Sequence, residues 1–207
     1  LAVPEFRDRE RSERAGGRGA SKSACYACNC VDSTNLVIRS QAFENAAWAK
    51  FGGDVTVTAS DGTEFYDAPD GTNTAQRLTI AASCAGTEKG IYQLFPTTAA
   101  PNTGSVWVKS ISGTTSVNLS NGGQVGSSTP CVATTSGWTQ CSHTRTTATS
   151  TYFSIGCNND YAGSSNTGPS DVLIWQGQFE EGSTATCPIL TTTTPTARTG
   201  PCSALCP

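Results

Sequence analysis

The chain has 207 residues, of which only 14% are charged, and carries a formal net charge of −3. That length holds one domain with a sizeable core plus appendages. An acidic balance excludes a general attraction to nucleic acid, and no apolar run of roughly 18 residues is present to span a membrane. Gly, Ser, Thr and β-branched residues dominate over good helix formers, which predicts an all-β domain rich in loops.

Residues 1–22 hold Arg7, Arg9, Arg11, Arg14, Arg18 and Lys22 interleaved with four acidic residues. With few large apolar groups, this arm is expected to lack structure of its own and to serve for fastening to a neighbouring subunit. Met is absent throughout, position 1 included, so either a processed chain or a start outside this sequence is expected; LAVPEF has no long apolar stretch and does not read as a signal peptide.

Ten cysteines mark a protein whose final location is oxidising and extracellular. Cys25, Cys28 and Cys30 cluster before the body, Cys84, Cys131, Cys141 and Cys157 lie within it, and Cys187, Cys202 and Cys206 follow it. Disulfides and intersubunit links are the expected state. The competing reading is zinc, with Cys25 and Cys28 as one half-site and Cys202 and Cys206 as the other. Connectivity does not follow from the sequence.

The body opens with a strand over 35–40, followed by a helical turn at 43–50 that tucks Phe43 and Trp48 under the domain. GDVTVTAS (53–60) alternates as a strand with Val55 and Val57 on one face. A loop with two Asp-Gly turns leads to a strand at 74–81. Further strands are predicted at 90–95, 104–112 and 114–120, the last two as a hairpin through Ser112 and Gly113. GWTQCSHTR (137–145) and STYFSIGC (150–157) follow. In DVLIWQGQFEE (171–181), Leu173, Trp175 and Phe179 are expected on one face, with Val172, Ile174, Gln176 and Gln178 on the other. Glu180 and Glu181 read as solvated turn residues, and the Thr/Pro run after them as an extended surface tail. About nine short strands at this spacing predict a jelly-roll β-sandwich of two antiparallel sheets. The organisation read is an arm with a Cys cluster (1–33), the sandwich (34–186) and a Thr/Pro/Cys tail (187–207).

NLVIRSQAFENAAWAK, APDGTNTAQRLT, GSVWVKS, GWTQC and VLIWQGQFEEGSTATCPILTTTTPTAR occur in an order that resembles the carbohydrate-binding-module-like jelly rolls of tailed-phage virion proteins. The opening and closing motifs are the most specific, and the resemblance covers about 35–198. Cys187 and the Cys-rich flanks depart from that pattern. The resemblance implies a structural or adhesion protein of a tail, fibre or head, displayed on the virion surface, with copies of itself, other virion proteins and a host glycan as partners. A secreted carbohydrate-binding module and an extracellular filament subunit are the other readings.

Enzymatic chemistry is not expected. His143 is the only histidine, no Gly-x-Ser-x-Gly turn surrounds a serine, and neither a phosphate loop nor a dinucleotide fingerprint is present. Sugar binding needs exposed rings beside amides or charges; the aromatic candidates are Tyr66, Tyr92, Trp107, Trp138, Tyr152 and Trp175. In GSVWVKS, Trp107 and Lys109 share a face and form a candidate stacking platform, joined by Tyr92 and by Gln176 and Gln178 as hydrogen-bonding groups; the competing reading half-buries Trp107 under a loop or a neighbouring subunit, and Trp48, Trp138 and Trp175 are expected in the core. No cofactor is required; Asp61, Asp67 and Asp70 are candidate ligands for a structural calcium, competing with a plain turn role.

Overall fold

A computed structural model describes residues 31–60, 66–84, 88–122, 128–146, 150–157 and 169–199. The arm, the Cys25–Cys28–Cys30 cluster, Cys202 and Cys206 lie outside the described residues. The strands are β1 (Ser33–Asn35), β2 (Ala49–Phe51), β3 (Val55–Ala59), β4 (Gln76–Ile80), β5 (Lys89–Thr98), β6 (Asn102–Ser110), β7 (Thr114–Asn121), β8 (Ser128–Thr134), β9 (Thr139–Arg145), β10 (Ser150–Cys157), β11 (Ser170–Glu181) and β12 (Thr196–Arg198). They form a jelly-roll sandwich. Sheet I has the order β2-β5-β10-β7-β8, sheet II the order β3-β4-β11-β6-β9, and β1 pairs with β12. All pairings are antiparallel. No helix among the described residues is long and apolar enough to cross a membrane.

Most strands fall where period-two patterning predicts them. The first does not: only 33–35 is strand, because Asn35 folds the chain away from a ladder. The helical turn expected at 43–50 is a run of tight turns, with Ala42 N–H donating to Arg39 O, Asn45 N–H to Ala42 O and Trp48 N–H to Asn45 O. It still buries Phe43 and Trp48. The hairpin expected between β6 and β7 does not form, since Gly113 (φ 60°) carries the chain across to the other sheet, where β7 pairs with β10 and β8.

β11 is the centre of sheet II, and it changes phase midway. Val172 and Ile174 enter the core between the sheets, while Leu173 and Trp175 face outwards. A bulge between Trp175 and Gln178, with Gln176 at φ 54°, then shifts the register. Beyond it Phe179 enters the core and Gln178 and Glu180 face out, which corrects the expectation that Leu173, Trp175 and Phe179 share a face. Phe179 stacks on Phe95 at 4.4 Å and lies 6.3 Å from Phe153 between ring centroids. Gly177 passes so close to the core rings that a Cβ there would stand 2.9 Å from Phe43 Cε1.

The bulge leaves backbone groups without a ladder partner, and residues 35–40 supply the replacements. Asn35, fully buried, accepts from Val37 N–H and Phe179 N–H through Oδ1 and donates from Nδ2 to Gly177 O and Ile189 O. Leu36 N–H donates to Phe179 O, and Gly177 N–H donates to Ser40 O.

Glu180 is buried, against the expectation that it is solvated; its carboxylate accepts from Gln178 Nε2, Thr186 N–H and Thr186 Oγ1. Glu181 is exposed, as expected. The tail is likewise part of the fold as far as 199: Cys187, Ile189 and Thr191 are buried, and Arg198 donates to Cys187 O and Val31 O.

Two disulfides join the sheets. Cys131 on β8 bonds Cys141 on β9, and Cys84 beyond β4 bonds Cys157 at the end of β10, the latter closing a sequence separation of 73. Each restrains the unfolded chain by about 2–4 kcal/mol. Cys187 is also disulfide-bonded.

Beside the β8–β9 disulfide, His143 Nδ1 meets Thr129 Oγ1 at 2.8 Å. Burial, reinforced by Arg145, holds the His143 pKa below its ordinary value of 6.5. The unfolded chain therefore binds more protons than the folded one between the folded pKa and 6.5, so stability rises with pH across that window. Denaturation midpoints should fall as pH drops below 6.5, and His143→Gln should flatten that dependence. Asn35→Ala strands the N–H groups of Val37 and Phe179 and the Gly177 carbonyl, and urea denaturation should show a loss of about 3 kcal/mol or more.

Candidate functional site

The outer faces of the two sheets differ. On sheet II, Trp175 and Trp107 are direct cross-strand partners, yet both are buried, at 2% and 4% exposure. The loop 66–75 folds over them with Tyr66, Ala68 and Ala75, Trp138 packs against the pair from just before β9, and Trp175 Nε1 donates to Thr74 Oγ1 at 2.9 Å. Asp70 holds that loop in a tight turn by accepting from Thr72 N–H and Thr72 Oγ1.

Among the described residues no group of three or more His, Cys, Asp or Glu gathers as metal ligands. Asp61 lies outside the described residues and Asp67 is exposed.

The expected platform is therefore corrected at three points. Trp107 offers no ring face, because the loop seals it. Gln176 and Gln178 are 2% and 1% exposed and committed to structure. Gln176 Nε2 donates to Ile189 O at 2.7 Å, and Gln178 Oε1 accepts from Ile189 N–H at 2.7 Å. Both tie β11 to the C-terminal strap.

Lys109 remains partly exposed, in a cleft with Tyr66, Arg77, Ile111 and Leu173. Arg77 grips Asp171 there with two 2.8 Å hydrogen bonds. That pairing raises the Arg77 pKa and holds the Asp171 carboxyl below its ordinary range.

Tyr92 lies on the opposite side of the sandwich, so the predicted set is split between two faces. Along β5, Ile91 and Gln93 point inwards and Tyr92 and Leu94 outwards, Leu94 being 66% exposed. Tyr92 is flanked by Phe51 of β2 and by Tyr152 and Ser154 of β10. With Glu88 at one end these residues line an open cleft of about 240 Å³.

Phe51 and Tyr92 meet edge to face, 5.9 Å between centroids. A glycine makes room for them. Gly90 pairs with both Phe51 and Gly156, and a Cβ at Gly90 would stand 3.0 Å from Phe51 Cζ. Without side chains beneath it, the Phe51 ring lies down towards the sheet. Sequence reasoning included Tyr152 among its aromatics but missed Phe51, because a three-residue edge strand carries no periodic signal; the Gly52-Gly53 turn after an aromatic was the available cue.

No protein-family model matches the chain, nor does any curated protein sequence. Solved structures similar to it include the CBM22-1 and GH10 modules of a Clostridium thermocellum endo-1,4-β-D-xylanase complexed with xylohexaose, at 18% identity and TM-score 0.45. That alignment covers 74% of this chain and 28% of the other. The CBM22-1 xylan-binding domain of a Paenibacillus barcinonensis protein aligns at 14% identity and TM-score 0.43, over 78% of this chain and 100% of its own. A family 11 carbohydrate-binding module from Clostridium thermocellum, in complex with a mixed-linked tetrasaccharide, aligns at 10% identity and TM-score 0.45, over 74% and 98%.

The two faces predict opposite behaviour on truncation. Trp107→Ala should remove about 3–5 kcal/mol of stability, as a buried ring does, whereas Tyr92→Ala should leave the denaturation midpoint nearly unchanged.

Proposed function

We propose that the protein is a non-catalytic, extracellular carbohydrate-binding module that holds a polysaccharide chain against the outer face of sheet I. The observation that carries this reading is the convergence of Phe51, Tyr92 and Tyr152 from three adjacent strands onto one open cleft. Pyranose rings expose apolar C–H faces that stack on such rings, and Glu88 lines the same cleft as a polar group. An open surface of this kind suits the side of a chain better than a buried terminal sugar.

Glu88 is the only carboxylate lining the cleft among the described residues. Glycoside hydrolysis by the usual route needs a facing pair, which supports binding without cleavage. Disulfides between the sheets favour an oxidising, extracellular setting. Display on a tailed-phage virion, implied by the sequence resemblance, has no structural observation of its own behind it, and self-assembly through the arm concerns residues outside those described. The module reading is therefore preferred.

Isothermal titration calorimetry of the full chain against soluble xylans, β-glucans and mannans tests it. At least one should bind, and Tyr92→Ala and Tyr152→Ala should each weaken binding roughly tenfold, a change of about 1.4 kcal/mol. Absence of binding across the panel, or variants that bind like the parent, would overturn the assignment.

A further inference from the structure

The run Thr191–Thr192–Thr193–Thr194–Pro195 is not used by the fold in a uniform way. Thr191 is buried at 3% exposure, and its hydroxyl accepts from Ser40 N–H at 3.2 Å while its own N–H donates to Ser40 Oγ at 3.0 Å. The next residue is pinned only through its backbone, Thr192 O accepting from Arg39 N–H at 2.7 Å. From there the pattern changes. Thr192, Thr193, Thr194 and Pro195 are all exposed, and none of the three threonine hydroxyls has a hydrogen-bond partner among the described residues. The segment is neither helix nor strand, and β12 begins at Thr196. Pro195 disfavours the helical region for Thr194 before it.

Exposed, unbonded hydroxyls on a short bent segment outside helix and strand, beside proline and held at both ends by the domain, are accessible to a polypeptide glycosyltransferase as acceptors. Thr/Ser-rich stretches with proline are the composition that carries O-linked sugars in extracellular proteins. Space is present as well: beside Thr192 an open cleft of about 390 Å³ is lined by Arg39, Gln41, Glu44 and Asn73, groups able to hydrogen-bond sugar hydroxyls.

We infer that Thr192, Thr193 and Thr194 are acceptor sites for O-linked glycans and that Thr191, one residue earlier, is not. In the transfer, the threonine Oγ1 forms a bond to the anomeric carbon of a sugar activated as a nucleotide- or lipid-linked phosphate. The bond from that carbon to the phosphate oxygen breaks, the phosphate leaves with the electron pair, and the hydroxyl proton passes to the transferase's base. No oxidant or reductant is involved. The consequence is a sugar-bearing ridge on the C-terminal strap.

The test is intact mass spectrometry of the full chain as secreted by its native source, followed by site mapping with a fragmentation method that keeps the glycosidic bond. The expected result is a mass above that of the peptide by whole sugar residues, mapped to one or more of positions 192–194, with Thr191 bare. The triple variant Thr192→Ala, Thr193→Ala, Thr194→Ala should lose that increment while its melting temperature, measured on deglycosylated samples, matches the parent's. An unmodified tail, or sugar on Thr191 in place of the following three, would overturn the assignment.

Discussion

The fold depends on one irregularity, the bulge that interrupts β11 after Trp175. A regular strand would keep a single set of side chains on the core face from Val172 to Glu181. The inserted residue reverses the alternation, so Phe179 enters the core and joins Phe95 and Phe153, while Gln178 and Glu180 turn to the outside. A bulge also orphans backbone groups in the middle of a sheet, where they cost about 1–3 kcal/mol each if left unmet. Asn35 answers this directly, presenting acceptor and donor atoms to the two sides of the gap. Asn35 is thereby fixed against the last long strand, 142–144 residues away.

The same phase change explains why the C-terminal stretch is integral to the domain. Gln178 and Glu180, turned outwards, would expose an amide and a carboxylate on the sheet. Instead Thr186, Cys187 and Ile189 close over them, with Thr186 donating twice to the carboxylate and Ile189 N–H donating to Gln178 Oε1. Glu180 is thus met by three hydrogen bonds from neutral donors, an arrangement that lets a carboxylate sit in the interior. The strap continues to Thr191, which locks onto Ser40, and to Arg198, which reaches Val31 O.

Much of this architecture was legible in the sequence, and the failures have definite causes. The sandwich, most of the strand positions and the burial of Phe43 and Trp48 followed from alternation, turn residues and composition, whereas β2, β8 and β12 did not. What alternation cannot convey is a change of phase: read as a continuous strand, 171–181 puts Phe179 with Trp175, and only the left-handed Gln176 reverses it. Sequence also cannot say whether a loop lies on a sheet face. Trp107 beside Lys109 is the right composition for an open platform, but the loop 66–75, anchored by Asp70 and Thr74, covers the ring. Gln176 and Gln178 were misread for a related reason, since amides needed to satisfy an irregular backbone look the same in a sequence as amides offered to a ligand. Tyr92 and Tyr152 were legible as aromatics on alternating strands, whereas their meeting with Phe51 depends on sheet order, which crosses the chain non-sequentially.

These causes together account for which face is left open. Sheet II is covered at two places for internal reasons: the 66–75 loop seals the tryptophan pair, and the C-terminal strap answers the polar groups exposed by the bulge. Neither requirement exists along β2, β5 and β10 between Tyr152 and Cys157, where the ladder is regular and the inward residues already satisfy the core. A ring on that outer face has no internal group to cover it, and the Gly90–Gly156 pair removes the side chains that would hold Phe51 away from the sheet. Phe51, Tyr92 and Tyr152 are half-buried, and the apolar surface they leave in water costs about 25 cal/mol for each Å². Brought together from separate strands, the three rings form a surface whose burial awaits a ligand, and stacking on pyranose rings removes that apolar area from water without requiring any movement of the sheet.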